Sequence, residues 1–284
     1  DLRARAERLG QALPPLLAEA EHLAATVILG EHGRRRAGMG DAFWQYRPVV
    51  PGDSARLIDW RRSARGDAHF VREREWQAAQ SVTLWVDAAR SMAFSGQAKR
   101  PAKADRARVL ALALAVLLVR GGERVGLGGT DAPPRAGRAQ LLRMAEALGA
   151  EGVADYGVPD LSGMAAHGRA VFLSDFLGDP AAVEAALAQA TDRGGGGALL
   201  MVLDPAEEEF PFDGRMIFES MGGAIRHETK AAGALRDRYL ARLAERKARL
   251  AAAARAGWHF SVHHTGAPAQ PALMWLYRAL ERGR

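Results

Sequence analysis

The stretch "SVTLWVDAARSM", Ser81 to Met92, decides how the chain reads. Val82-Thr83-Leu84-Trp85-Val86 is β-prone and lacks polar alternation, the pattern of a strand buried on both faces. The run stops on Asp87, and small and polar residues follow. A second run does the same: "AVFLSDFLGD" carries apolar residues up to Ser174 and then Asp175.

Outward from these two runs the pattern alternates. Strands are predicted at 81–87, 124–130, 169–174, 198–203, 214–219 and 258–263. Helices are predicted at 104–120, 138–149, 180–192, 229–256 and 270–282. Continuous apolar strands alternating with helices imply a mostly parallel, doubly wound sheet covered on both faces, an α/β fold. The division is residues 1–79, a helical and irregular Arg-rich extension, and residues 80–284, the α/β domain. Within 2–28, Leu2, Leu9, Leu13, Leu16, Leu17 and Leu23 fall at helical spacing. Pro14 and Pro15 split that pattern into two pieces. Phe70 to Trp76 reads as a strand, and Asp53 can cap a short turn through Ile58. Gly194 to Gly197 follows a helix and enters a strand, so it reads as a helix-ending loop rather than a phosphate cradle.

In an open parallel sheet, ligands bind beyond the carboxyl ends of the strands, where the strand order reverses. Asp87 and Asp175 sit at two such ends. If the strands are neighbours, the carboxylates meet. Two carboxylates with hydroxyls nearby suit a hard cation such as Mg²⁺ or Mn²⁺. Each Asp can instead be the N-cap of the turn or helix that follows it.

The chain has 284 residues, 48% hydrophobic and 25% charged, ordinary values for a globular protein with a sizeable core. It has no cysteine, which excludes disulfides, thiolate metal sites and a cysteine nucleophile. The longest apolar run, Val109 to Val119, is bracketed by Arg108 and Arg120. It is shorter than the about 20 residues a membrane span needs. No secretory pattern is visible, and the expected setting is cytoplasmic. The net charge of +6 permits an anionic partner without demanding one.

Arg56, Asp59, Trp60, Arg61 and Arg65 mix both charge signs with an aromatic in a short span. They read as a local ion-pair network or as a surface for an acidic partner. The basic 34–76 region also allows a nucleic-acid reading, although no nucleic-acid motif accompanies it. His259 and His263 stand four apart on a predicted strand, about 13 Å from each other, too far to share a metal. His227 and Glu228 read as helix-terminus residues. No nucleophile elbow, zinc helix motif or phosphate loop occurs.

Two resemblances gather these residues. "VDAARSM" after the first core strand and "LSDF" after a middle one resemble the von Willebrand factor type A fold. "YRPVVPGDSARLIDWRRSAR" with "FVREREWQAAQSVTLWVDAARSM" resembles the bacterial family named domain of unknown function 58. The type A resemblance implies a metal-ion-dependent adhesion site. Asp87 takes its first position, Ser91 its last and Asp175 its third-loop carboxylate. Ala89 replaces a Ser ligand, and Thr130 is no clear match for the second-loop Thr. The implied site is therefore a degraded one for Mg²⁺ or Mn²⁺, with Arg90 or Arg138 as alternative sources of positive charge. The family resemblance implies a protein-interaction module with no enzymatic activity, an adaptor or assembly factor beside a MoxR-type AAA+ ATPase. The other expectations are nucleic-acid binding through 34–76 and metal-dependent hydrolysis at Asp87 and Asp175.

Overall fold

Ser81–Val86 is the third strand of the chain and an interior strand of its main sheet. In the computed structural model, described residues are 14–32, 44–49, 60, 70–74, 79–219, 226–229, 232–254 and 257–281. The elements in order are α1 (Pro15–His32), β1 (Trp44–Pro48), β2 (Phe70–Arg74), β3 (Ser81–Val86), α2 (Lys103–Arg120), β4 (Arg124–Leu127) and α3 (Arg138–Ala147). Then follow β5 (Arg169–Ser174), α4 (Pro180–Asp192), β6 (Gly196–Leu203), α5 (Pro205–Glu209), β7 (Met216–Glu219), β8 (Arg226–Thr229), α6 (Gly233–Ala253), β9 (Trp258–His264) and α7 (Ala269–Glu281).

The main sheet has the order β4-β3-β5-β6-β9, and every neighbouring pair is parallel. Side chains alternate across the sheet, as the period of two requires. Val82, Leu84, Val171, Leu173, Leu200 and Val202 face one core with α1, α2, α3 and α7. Trp85, Phe172, Leu199 and Met201 face the other with α4 and α6. Phe172 stacks on Trp258, ring centroids 5.4 Å apart, and meets the edge of Trp85 at 6.1 Å. Helix α2 is buried without a break from Val109 to Leu118, which explains why its apolar run shows no polar stripe.

Several expectations are corrected. Residues 214–219 do not join the main sheet. Met216–Glu219 pairs antiparallel with Arg226–Thr229 in a separate two-stranded ribbon. His227 and Glu228 therefore lie on a strand, and α6 begins only at Gly233. The expected division at 79/80 also shifts. The described residues through Ile28 group with Gln80 onward, and Leu29–Ala79 form a second unit. The reason is that Leu17, Ala20, Ala24 and Val27 of α1 enter the core shared with α2 and α7. Pro15 does not interrupt this helix but starts it, where a missing N–H costs nothing. Within the second unit, β1 and β2 form an antiparallel ribbon, with Trp44 opposite Arg74 and Pro48 opposite Phe70. Trp60 is exposed. Asp53, Arg56, Ile58, Asp59, Arg61 and Arg65 lie outside the described residues.

Candidate functional site

The chain crosses from β3 to β4 on one side and later returns to β5 on the other, so the strand order reverses between β3 and β5. The pairing runs from Val82 opposite Arg169 to Val86 opposite Leu173, and Asp87 N–H continues it to Leu173 O at 2.9 Å. This register places Asp87 and Asp175 side by side beyond the carboxyl edge. The next strand, β6, ends in a third carboxylate, Asp204.

Asp87 is held from several directions. Its Oδ1 accepts from Ala89 N–H at 2.8 Å, closing the turn that leads into the 3-10 turn Arg90–Ala93. Its Oδ2 accepts from the Ser174 hydroxyl at 2.6 Å, and Ser174 Oγ accepts from Phe176 N–H at 2.9 Å. The segment before β5 lies along this loop: Gly152 N–H donates to Ala88 O, Arg90 N–H to Ala154 O and Ser91 N–H to Asp155 O. Gly157 N–H also bonds the Asp87 carboxyl. A Cβ at Gly157 would stand 2.2 Å from Asp87 Oδ1, so only glycine fits there. Asp87 is 1% exposed. Burial pushes its carboxyl above the usual range, Asp175 adds to the rise, and the Ser174 and backbone donors work against it.

Asp175 meets a cation, and that cation is a lysine. Lys103, the first residue of α2, places Nζ 2.9 Å from Asp175 Oδ2 and 2.6 Å from Glu207 Oε1. Lys103 and Asp175 are each 1% exposed. Burial alone would lower the ammonium; the Asp175 and Glu207 carboxylates outweigh it and hold the group above its usual range. Asp175 Oδ1 accepts from Leu177 N–H at 3.0 Å. Phe176, between them, takes the left-handed conformation at φ +48°, a strained backbone for a bulky residue. Glu207 comes from α5, where it closes a capping box by accepting from Asp204 N–H at 2.9 Å. Asp204 in turn accepts from Arg100 Nη1 at 2.7 Å and from Thr265 Oγ1 at 3.2 Å.

Asp87 and Asp175 are brought together as the sequence suggested, but the rest of the implied metal set does not fit a divalent ion. Ala89 supplies no ligand. Both Asp87 oxygens accept from protein donors, and Asp175 is paired with an ammonium. Thr130 is turned to a local partner, its hydroxyl donating to Leu127 O at 2.8 Å. Ser91 is buried, and its Oγ has no hydrogen-bond partner. Among the described residues, no three His, Asp or Glu side chains gather as a metal cage. The positive charge expected from Arg90 or Arg138 is supplied to Asp175 by Lys103. Lys103, Glu207 and Asp204 were missed from sequence. The one signal was that "ALLMVLD" ends on a carboxylate just as the β3 and β5 runs do.

The segment whose Gly152 and Gly157 bond the Asp87 loop carries two exposed apolar side chains, Val153 at 84% and Val158 at 65%. Between them Tyr156 enters the wall of a cavity of about 520 Å³, shared with Leu177, Tyr239 and Arg242.

The model of the family described as Protein of unknown function DUF58 matches residues 45–249. Uncharacterized proteins of Mycobacterium bovis and Mycobacterium tuberculosis are each 28% identical over 262 residues, covering 85% of this chain and 77% of the relative. Among solved structures, the conserved hypothetical protein BatB from Bacteroides thetaiotaomicron is similar with a TM-score of 0.41 and 12% identity, over 72% of this chain and 98% of its own. An aerotolerance-related membrane protein from Bacteroides fragilis gives 0.39 and 15%, over 72% and 100%.

Proposed function

For a chain that belongs to the family described as Protein of unknown function DUF58, we propose a non-enzymatic protein-interaction module that binds its partner over the carboxyl edge of the main sheet. The observation that carries this reading is the inward use of the site. Asp87, Ser174 and Asp175 are each 1% exposed and bonded to protein donors, while Val153 and Val158 stand in solvent on the segment whose Gly152 and Gly157 bond the Asp87 loop. Catalysis needs a base or nucleophile that reaches substrate. On this reading the carboxylates are structural, and they brace a segment that exposes Val153 and Val158.

A von Willebrand factor type A relationship is part of the proposal. It is supported by the first core strand lying inside the sheet, between β4 and β5, and by an antiparallel bridge, Val125 to Arg135, on β4. The partner proposed is a MoxR-type AAA+ ATPase, with the chain as its adaptor or assembly factor. That partner rests on the resemblance of "PGDSARLIDWRRSAR" alone.

The test is capture from native lysate on the tagged chain, beside Val153→Asp/Val158→Asp. Retention of an AAA+ ATPase by the wild type and its loss from the variant supports the reading. Recovery of neither an ATPase nor a client protein overturns it.

A further inference from the structure

We propose that Lys103 is the resident cation of the carboxyl-edge site, an ammonium fixed in the chain where the resemblance implies a divalent metal. This goes beyond the interaction reading and stands without it.

The geometry assigns the role. Nζ lies 2.9 Å from Asp175 Oδ2 and 2.6 Å from Glu207 Oε1, so one cation joins the carboxylate after β5 to one on helix α5. The lysine is placed against its local preference. As the first residue of α2 it sits at a helix N-terminus, where the backbone dipole opposes positive charge. It is also 1% exposed, and a buried ammonium persists only when carboxylates compensate its lost hydration. Phe94 closes one side, its ring centroid 5.7 Å from Nζ. An ammonium donates along three N–H directions, whereas Mg²⁺ demands six oxygens near 2.1 Å. Two carboxylates and an aromatic face match the ammonium's donors, and Nζ itself occupies the point between them. Ser91, the last position of the implied motif, keeps a buried hydroxyl with no hydrogen-bond partner.

Removing the ammonium then leaves two carboxylates already aimed at one point. Lys103→Ala opens a space in which a divalent ion can take Asp175, Glu207 and water as ligands. Two carboxylates left without Lys103 repel each other, and a bound ion relieves that by mass action.

The experiment is a titration of Mn²⁺ into the full chain, followed by electron paramagnetic resonance of the free ion, with melting temperatures measured alongside. The wild type is expected to show no saturable site up to millimolar Mn²⁺ and no change in melting temperature. Lys103→Ala is expected to gain one saturable site, at least tenfold tighter than any wild-type binding, that Lys103→Ala/Asp175→Asn lacks. If Lys103→Ala is too unstable for direct titration, the readout is its melting temperature, which Mn²⁺ raises. A wild-type site that Asp175→Asn abolishes overturns the proposal. So does a Lys103→Ala chain that neither binds Mn²⁺ nor is stabilised by it.

Discussion

Lys103 Nζ lies 2.9 Å from Asp175 Oδ2, and both side chains are almost wholly withdrawn from water. The pair joins the start of α2 to the end of β5, two elements separated by 72 residues in sequence. A buried ion pair gives little net stability when compared with a well-packed apolar pair, yet breaking it from one side is costly. That asymmetry sets the first expectation. Lys103→Met leaves the buried Asp175 and the part-exposed Glu207 without their counter-ion and destabilises the fold by about 3–5 kcal/mol at neutral pH. Lys103→Met/Asp175→Asn loses less than the sum of its two single variants, because the second change removes an orphaned charge. Urea unfolding of the four chains measures this, and additive losses contradict it.

Asp87 behaves in the opposite sense. Its carboxyl is raised in the fold by burial and by Asp175, so the unfolded chain releases that proton at lower pH than the folded one. Its favourable contribution is present at low pH and fades as pH rises through the folded value. Asp87→Asn keeps an acceptor for Ala89 N–H and avoids a buried charge. Its stability relative to wild type is therefore expected to improve between pH 4 and pH 7. Paired melting curves at the two pH values show it, and a relative loss across that range counts against the assignment.

Gly157 is expected to be intolerant of a side chain. An alanine Cβ there meets both oxygens and the carbon of the Asp87 carboxyl, at 2.2 to 2.6 Å. Gly157→Ala costs about 1–3 kcal/mol, the usual range for overpacking. The cost is smaller in an Asp87→Ala background, where the obstructing group is gone. A double-mutant cycle with no coupling would separate the two residues.

His263 provides a second pH dependence, away from the site. Its imidazole is buried beside Arg106 Nη1 at 3.3 Å, and burial, Arg106 and His264 push it down to about 4. The unfolded chain takes up this proton near the ordinary value of 6.5 and the folded chain does not. Stability is thus lost as pH falls from about 6.5 towards 4. His263→Gln keeps an acceptor for Arg106 and flattens that limb. An unchanged acid limb in the melting profile would remove His263 as its source.

The parallel strands and their helices were legible because burial on both faces writes continuous apolar runs, as in β3, β5 and β6. Asp87 and Asp175 were legible as a pair because each closes such a run. The partners were not. Lys103 reads in sequence as a solvated cation at a helix start, and its pairing with Asp175 and Glu207 spans 72 and 104 positions. Glu207 sits on a five-residue helix, too short for periodicity to announce, held by the Asp204 capping box. The strand at β7 was legible, but its partner β8 was missed for a related reason: a four-residue strand outside the main core needs no apolar run.

The central claim is that the carboxyl edge is a protein-binding face whose charge is balanced from within. The most direct measurement is retention of partner on the tagged chain, in buffer with excess Mg²⁺ and in buffer with EDTA, for wild type and Val153→Asp/Val158→Asp. Equal retention in both buffers by the wild type, and loss in both by the variant, is the predicted result. Release of the partner by EDTA, or full retention by the variant, would contradict the account.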